Sequence, residues 1–406
     1  MSDRTPVDHA SDPVFDAPLP DLNGKTILQV IPTLEAGGAE RTTIDIAEGV
    51  VKAGGRALVA SAGGRLESAL KSVGGEHVML PLDAKARLDR HLTNRFALKA
   101  LSKRENVSLV HARSRAPAFA ALAAARSLSL PFITTYHGIY SEKTALKRWY
   151  NSVMAAGDAV IANSRYTQSV ILSRYGLPPD KVPVVHRGTD LQLFDPARIA
   201  KDDSAALRAQ WKIPENRPIV LLLARITEIK GHIHAVEALG LLKKRGMDLP
   251  CLVFAGRPQS ESYVERIKHI IAETGLNHDV SFVGHVDNVP LALSAADIVI
   301  QPSTKPETFG RAAAEAQAFC VPAISYDHGG ATETIAAPPD VSEDARTGYR
   351  VKLGDRNGLA DAVEALLTMG KDERLAMGRR GRNDIANHFS LQRMVSDTLN
   401  IYSSFL

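Results

Sequence analysis

The segment Pro306-Glu307-Thr308-Phe309-Gly310-Arg311-Ala312-Ala313-Ala314-Glu315-Ala316 places two carboxylates eight positions apart. Pro306 and Gly310 suit a loop, whereas residues 312–318 are strong helix formers. The pattern predicts Glu307 in a loop and Glu315 about one turn inside the following helix. Amides near Phe309, Gly310 and Arg311 then form a helix N-terminus, which suits an anion. A phosphate flanked by two hydroxyl-bearing groups, one reached by each Glu, fits this layout. A nucleotide sugar has that shape. Paired carboxylates also suit acid/base hydrolysis, but these two should address opposite ends of one ligand, which disfavours that reading.

Other loops carry further candidates. Arg225 and Lys230 lie in Leu223-Ala224-Arg225-Ile226-Thr227-Glu228-Ile229-Lys230-Gly231, ahead of a helix expected near His232. Their charges can converge on a diphosphate, Arg as a bidentate fork and Lys as a compact charge. Gly37 and Gly38 either make a tight strand-to-helix turn or let the backbone approach a ligand. His111 and His137 each end an apolar run, where a structural hydrogen-bonding role is common. Gly138 leaves His137 room to face a ligand. Arg113 and Arg115 suit an anionic acceptor group or a plain salt bridge. Gly256 is placed by position to face a nucleotide base. In Gly329-Gly330-Ala331-Thr332-Glu333, helix capping and ligand contact are equally open. No G-x-G-x-x-G or P-loop lysine occurs, which disfavours a dinucleotide dehydrogenase or a Walker-type ATPase.

The elements positioning these residues alternate along the chain. Apolar runs predict strands at 26–31, 56–60, 109–112, 132–136, 159–162 and 181–185, then at 218–223, 250–255, 280–283, 298–302, 322–325 and 348–351. Near-continuous Val/Ile/Leu/Ala runs indicate parallel strands buried on both faces. Helical patterns lie between them, so two doubly wound α/β domains are expected, with ligands at the carboxyl ends of the strands. The expected divisions are a disordered tail over 1–24, an N-terminal domain over 25–200, a C-terminal domain over 201–387 and a terminal helix over 388–406. Residues 197–212 suit a connecting helix, and Ser390 suits an N-cap.

Composition bounds the rest. The chain has 406 residues, 45% apolar and 23% charged, as expected of a globular protein. Its two cysteines, Cys251 and Cys320, read as buried free thiols in a reducing compartment. The Asp- and Pro-rich first 24 residues show no signal peptide, and no run of about 18 apolar residues appears. A cytoplasmic location follows. Residues 25–200 carry 24 Lys and Arg against 14 Asp and Glu; residues 201–406 carry 24 against 26. The basic excess clusters at Lys85, Arg87, Arg90, Arg95, Lys99, Lys103 and Arg104, and at Lys143, Lys147 and Arg148 beside Trp149 and Tyr150. It is either a solvated helix face or an attraction to anionic lipid or a phosphorylated acceptor.

Taken together, these residues resemble the retaining glycosyltransferases of family 4, with the GT-B architecture, from about Lys25 to the C-terminus. The most specific match is Glu307-x7-Glu315 with Ala316-Gln317-Ala318 and Val321-Pro322, followed by Arg225…Lys230-Gly231. Gly37-Gly38-Ala39-Glu40, His137, Arg187-Gly188-Thr189-Asp190 with Phe194, and Gly329-Gly330 through Glu333 match in order. The resemblance implies two Rossmann-like domains facing a central cleft, with the C-terminal helix returning to the N-terminal domain. It implies that Glu307 contacts donor-sugar hydroxyls and Glu315 the ribose. Arg225 and Lys230 would bind the diphosphate. Gly37 and Gly38 would close on phosphate and sugar, and His137 would help place the reacting centre. The donor site would also include Gly256, Phe309, Gly310 and Arg311.

A nucleotide-diphosphate sugar would be the co-substrate, with no metal and no other cofactor. The partners would be a glycan or lipid-linked acceptor and an anionic membrane surface, with no nucleic acid. The implied activity is sugar transfer to a hydroxyl with retention, in synthesis of bacterial lipopolysaccharide or another surface polysaccharide. The alternative is a nucleotide-sugar 2-epimerase or other GT-B enzyme acting on a nucleotide sugar. The chain departs from the family pattern at Thr308, where Gly is common; at Cys320, likewise; and at His186-Arg187-Gly188, where Asn-Gly is frequent.

Overall fold

The computed structural model describes residues 18–35, 37–83, 88–140 and 142–406. Among them are two six-stranded sheets, parallel throughout. The first contains β1 (Thr26–Val30), β2 (Arg56–Ser61), β3 (Glu76–Met79), β4 (Leu109–Ala112), β5 (Phe132–Tyr136) and β6 (Ala159–Ala162), in the order β3-β2-β1-β4-β5-β6. The second contains β7 (Ile219–Leu223), β8 (Cys251–Ala255), β9 (Val280–Gly284), β10 (Ile298–Gln301), β11 (Ala323–Tyr326) and β12 (Gly348–Val351), in the order β12-β11-β10-β7-β8-β9. Both sheets follow the doubly wound Rossmann order. The winding reverses between β1 and β4 in one, and between β7 and β10 in the other. Ligands of such sheets bind at the carboxyl ends of the strands at that reversal.

The apolar runs form these strands because each sheet is covered on both faces. Val220 and Leu222 of β7 join Leu252, Phe254, Ile298 and Ile300 in one core. Their neighbours Ile219 and Leu221 join Val253, Val299 and Ala323 in another. The first sheet repeats this, with Leu28 and Val30 on one face and Ile27 on the other. Alternation along a strand thus buries every residue of β1, β4, β5, β6, β8, β10 and β11.

The chain divides into two compact units, one running to Gly188 and resumed by Leu391–Leu406, the other Thr189–Ser390. The division falls at Gly188/Thr189, not at 200/201. The Gly188 amide donates to Met394 Sδ (3.2 Å), whereas the Thr189 amide donates to the Phe389 carbonyl (2.8 Å). The polar stretch expected to connect the domains contains the helix Lys201–Gln210. Arg208 there donates to the Ala295 carbonyl (2.9 Å), which makes it part of the second unit. The terminal helix Leu391–Ser403 buries Met394, Val395, Leu399 and Tyr402 in the first unit's core.

Two strand assignments change. Residues 181–185 form no strand: Pro183 interrupts them, and only an isolated bridge, Ala162 with Val184, remains. The edge strand β3 carries Glu76 and His77 and is only partly buried, so its sequence lacks the apolar run that marks the others. Cys251 is a buried free thiol, whereas Cys320 is only half-buried and left-handed, at φ 59°. Among the described residues, no helix is long and apolar enough to cross a membrane. Lys85 and Arg87, part of the expected basic region, lie outside the described residues.

Candidate active site

In the second unit, the loops after β7 and β10 meet at the reversal of winding. The turn Glu228–Lys230 leads through Gly231 into the helix His232–Lys244. Gly231 has φ 73°, and a Cβ there would collide with the Pro302 carbonyl oxygen. Only glycine tolerates both conditions. The Thr304 amide then donates to the Ile229 carbonyl at 2.9 Å. This contact brings Lys230 Nζ within 2.6 Å of Glu307 Oε1, which also accepts from Ser303 Oγ at 2.5 Å. Both ends of the ion pair are about one-fifth exposed (22% and 21%), so a ligand can reach them. Arg225, in the same loop, is exposed.

Glu307 is held from behind. The Gly330 amide donates to the Glu307 carbonyl at 2.7 Å, and His328 Nε2 lies 2.7 Å from the Ser303 carbonyl. The Gly329-Gly330 turn therefore supports the Glu307 loop. Neither Ser303 nor His328 stood out in the sequence, because their roles depend on β10 and β11 being neighbours. A Ser two residues past an apolar run is too common a signal to single out.

The helix begins at Arg311 and ends at Ala318, with Gly310 as its left-handed N-cap (φ 88°). Glu315 lies one turn inside, 8% exposed, and accepts from Arg311 Nη2 at 2.6 Å and Nε at 3.0 Å. The first-turn amide of Ala313 is already taken by Gln301 Oε1 at 3.1 Å. Phe309 is 2% exposed and packs edge-on against Phe389, so its ring belongs to the core of the unit. A Cβ on Gly256 would strike the Ala224 carbonyl oxygen; that glycine lets the loops after β8 and β7 pack together.

The remaining candidates belong to the first unit. A Cβ on Gly38 would strike the Arg187 guanidinium, so this glycine makes room for a side chain of its own unit. Gly37 precedes it as the extended N-cap of the helix Gly38–Lys52. His111 is fully buried and tied to Tyr402 Oη (2.5 Å) and Thr135 Oγ1 (2.8 Å), a structural role that fastens the terminal helix. Arg115 stacks on Tyr140 at 3.9 Å and donates to Asn151 at 2.7 Å. Those contacts hold one edge and one face of its guanidinium. His137 and Arg113 border one cavity with Arg187, Thr135 and Asn163. Burial, then the fields of Arg113 and Arg187, hold the His137 imidazole well below its usual pKa, so it is neutral near pH 7. Among the described residues, no group of three or more His, Cys, Asp or Glu is placed to hold a metal.

Comparison with known proteins agrees with this arrangement. Residues 36–193 match the model for Glycosyltransferase Family 4, and residues 203–384 match that for Glycosyl transferases group 1. A glycosyltransferase from Rickettsia africae is 31% identical, with a TM-score of 0.83 over 94% of this chain and 99% of that one. The Anabaena protein Alr3699/HepE, solved with UDP and glucose, shares the fold at 21% identity, with a TM-score of 0.76 over 93% and 99% of the two chains. A D-inositol 3-phosphate glycosyltransferase from Salinispora tropica is 31% identical over 62% of this chain, and the match spans about half (52%) of its length. The chain belongs to glycosyltransferase family 4 and has the GT-B fold of two Rossmann-like domains.

Proposed function

We propose that the protein transfers a sugar from a nucleotide-diphosphate donor to a hydroxyl acceptor, with retention at the anomeric carbon. The observation that carries this reading is the convergence of Lys230 and Glu307 where the second sheet reverses its winding. A cation for phosphate and a carboxylate for sugar hydroxyls stand side by side there. Arg225 adds a second cation on the same loop, and Glu315 supplies the carboxylate for the ribose. The anomeric C–O bond breaks as the diphosphate departs, and Lys230 and Arg225 stabilise the charge that grows on it. The acceptor oxygen bonds to the anomeric carbon on the same face, and its proton passes to the departing phosphate oxygen. The family resemblance assigns sugar-facing roles to Gly37, Gly38 and His137, and burial keeps His137 neutral.

The setting we propose is surface-polysaccharide or lipopolysaccharide synthesis at an anionic membrane. The helix Leu88–Arg104 exposes Leu92 and Phe96 beside Arg95, Lys99, Lys103 and Arg104, and the helix Ala145–Ser152 exposes Leu146 and Trp149 beside Lys147 and Arg148. Binding to anionic vesicles that weakens with salt supports this setting. No binding at low salt removes it.

The transferase reading is tested with UDP-, GDP- and ADP-sugars and a panel of hydroxyl acceptors. Product is followed by the proton coupling constant at the anomeric centre. A product of the donor's own anomeric configuration is expected. An inverted product, or isomerisation of the donor without acceptor, refutes the reading.

A further inference from the structure

The loop after β11 stands directly behind Glu307. The His328 amide donates to the Tyr326 carbonyl at 2.9 Å, a tight turn at the end of the strand. Gly329 follows at φ 65°, where a Cβ would lie 2.6 Å from the Glu307 carbonyl oxygen. Within this turn the His328 side chain crosses to the loop after β10, and its Nε2 lies 2.7 Å from the Ser303 carbonyl. A carbonyl only accepts, so Nε2 carries the proton and donates. Ser303 is 3% exposed, and its Oγ donates to Glu307 Oε1 at 2.5 Å, the same oxygen that Lys230 Nζ holds at 2.6 Å. Among the described residues both bonds fall on Oε1, which leaves Oε2 for a ligand.

The other side of His328 is fixed as well. Its ring meets Tyr326 edge to face, with centroids 6.4 Å apart. Tyr326 is fully buried, and its Oη lies 2.8 Å from His234 Nδ1. Arg356 Nη2 lies 2.8 Å from His234 Nε2, and Arg356 Nε donates to Glu237 at 2.9 Å. A guanidinium only donates, so His234 Nε2 accepts and its Nδ1–H donates to the Tyr326 oxygen. These contacts run from Glu237, on the helix His232–Lys244, to Glu307. A polar network with its partners made holds one arrangement. The bond from the Gly330 amide fixes the Glu307 backbone but not its carboxylate. Ser303 Oγ orients the carboxylate, and His328 holds Ser303.

We propose that His328 is a positioning residue for donor-sugar recognition, acting through Ser303 to keep Glu307 Oε2 aimed at the sugar hydroxyls. The sugar rests on the transferase reading above; the chain of contacts does not. The effect is confined to the sugar end of the donor, because Arg225, Glu315 and the phosphate-facing charge of Lys230 do not depend on His328.

The test is calorimetric titration of the full chain with UDP-, GDP- and ADP-sugars, and with UDP, GDP and ADP alone. His328→Leu removes the donor. It should weaken binding of the nucleotide sugar by about 2- to 10-fold, the span of one net hydrogen bond, and leave the matching nucleoside diphosphate within about twofold. His328→Gln, whose amide nitrogen reaches the place of Nε2, should restore the sugar-specific part. Ser303→Ala should give the same loss as His328→Leu, and the double variant should lose no more than either single one. If His328→Leu folds poorly, His328→Asn keeps the test decisive, because its amide is too short to reach Ser303 and the same loss is expected. Equal losses for nucleotide and nucleotide sugar, no loss, no recovery with Gln, or additive losses with Ser303→Ala each overturn the positioning role. Those outcomes leave the donor site standing, since the wild type still binds nucleotide sugar. A wild type that binds neither form overturns the transferase reading, and this role with it.

Discussion

Lys230→Met separates catalysis from stability at the proposed donor site. The substitution removes the charge but keeps most of the stem. In the fold it breaks the 2.6 Å contact with Glu307, whose carboxylate keeps its bond from Ser303 Oγ. Because both partners are about one-fifth exposed, water screens the pair. Its net contribution to stability is then about 1 kcal/mol or less. The melting temperature should fall by no more than roughly 2–4 °C. In the transition state Lys230 faces charge that grows on the departing diphosphate. Losing one such stabilising contact costs about 2.7–4 kcal/mol, or roughly 10²–10³ in turnover. Measured together, kcat, donor affinity and melting temperature should show a large loss in kcat beside a small loss in stability. Turnover within about tenfold of wild type refutes the assignment of Lys230. An activity loss that simply tracks unfolding refutes the reasoning that separates the two effects.

Three further perturbations follow from particular backbone and burial features. Gly231→Ala forces a side chain onto φ 73° and into the Pro302 carbonyl, so it should destabilise by more than about 2 kcal/mol and weaken donor binding further; an unchanged melting temperature contradicts this. Cys320→Gly relieves a left-handed residue at φ 59° and should stabilise by about 0.5–1 kcal/mol in urea unfolding, whereas a loss of stability speaks against backbone strain there. His232 is fully buried against Phe254, and burial takes its pKa from 6.5 down to about 4. Between those values the unfolded chain takes up a proton that the fold refuses, so stability is lost as pH falls through that window, by ~3 kcal/mol in all. His232→Phe should flatten this part of the stability profile, and an unchanged slope would exclude His232 as its source.

The two sheets were readable because strands buried on both faces leave unbroken apolar runs. β3 escaped this reading because a half-exposed edge strand carries polar residues such as Glu76 and His77. The helix Arg311–Ala318 and the depth of Glu315 within it follow from local propensity, as the sequence indicates. The pairing of Lys230 with Glu307 does not follow from local pattern. The two are far apart in sequence, and they meet because β7 and β10 are neighbours at the reversal of winding. The same limit applies to Gly38 and Gly256. The sequence marks Gly38 as a place of close approach and Gly256, by position, as facing a base, but the atoms that crowd them are Arg187 and the Ala224 carbonyl of their own units. Arg115 shows the converse, a cation near strand ends whose stacking partner Tyr140 lies on another segment.

Calorimetric titration of the wild-type protein with UDP-, GDP- and ADP-sugars, repeated with Arg225→Ala, tests the central claim most directly. The claim is that the loops after β7 and β10 form a nucleotide-sugar site. One nucleotide class should bind saturably to the wild type, and binding should weaken by about tenfold or more in the variant, the effect of losing a charge-assisted contact to phosphate. No binding by any class, or binding indifferent to Arg225, would contradict the account.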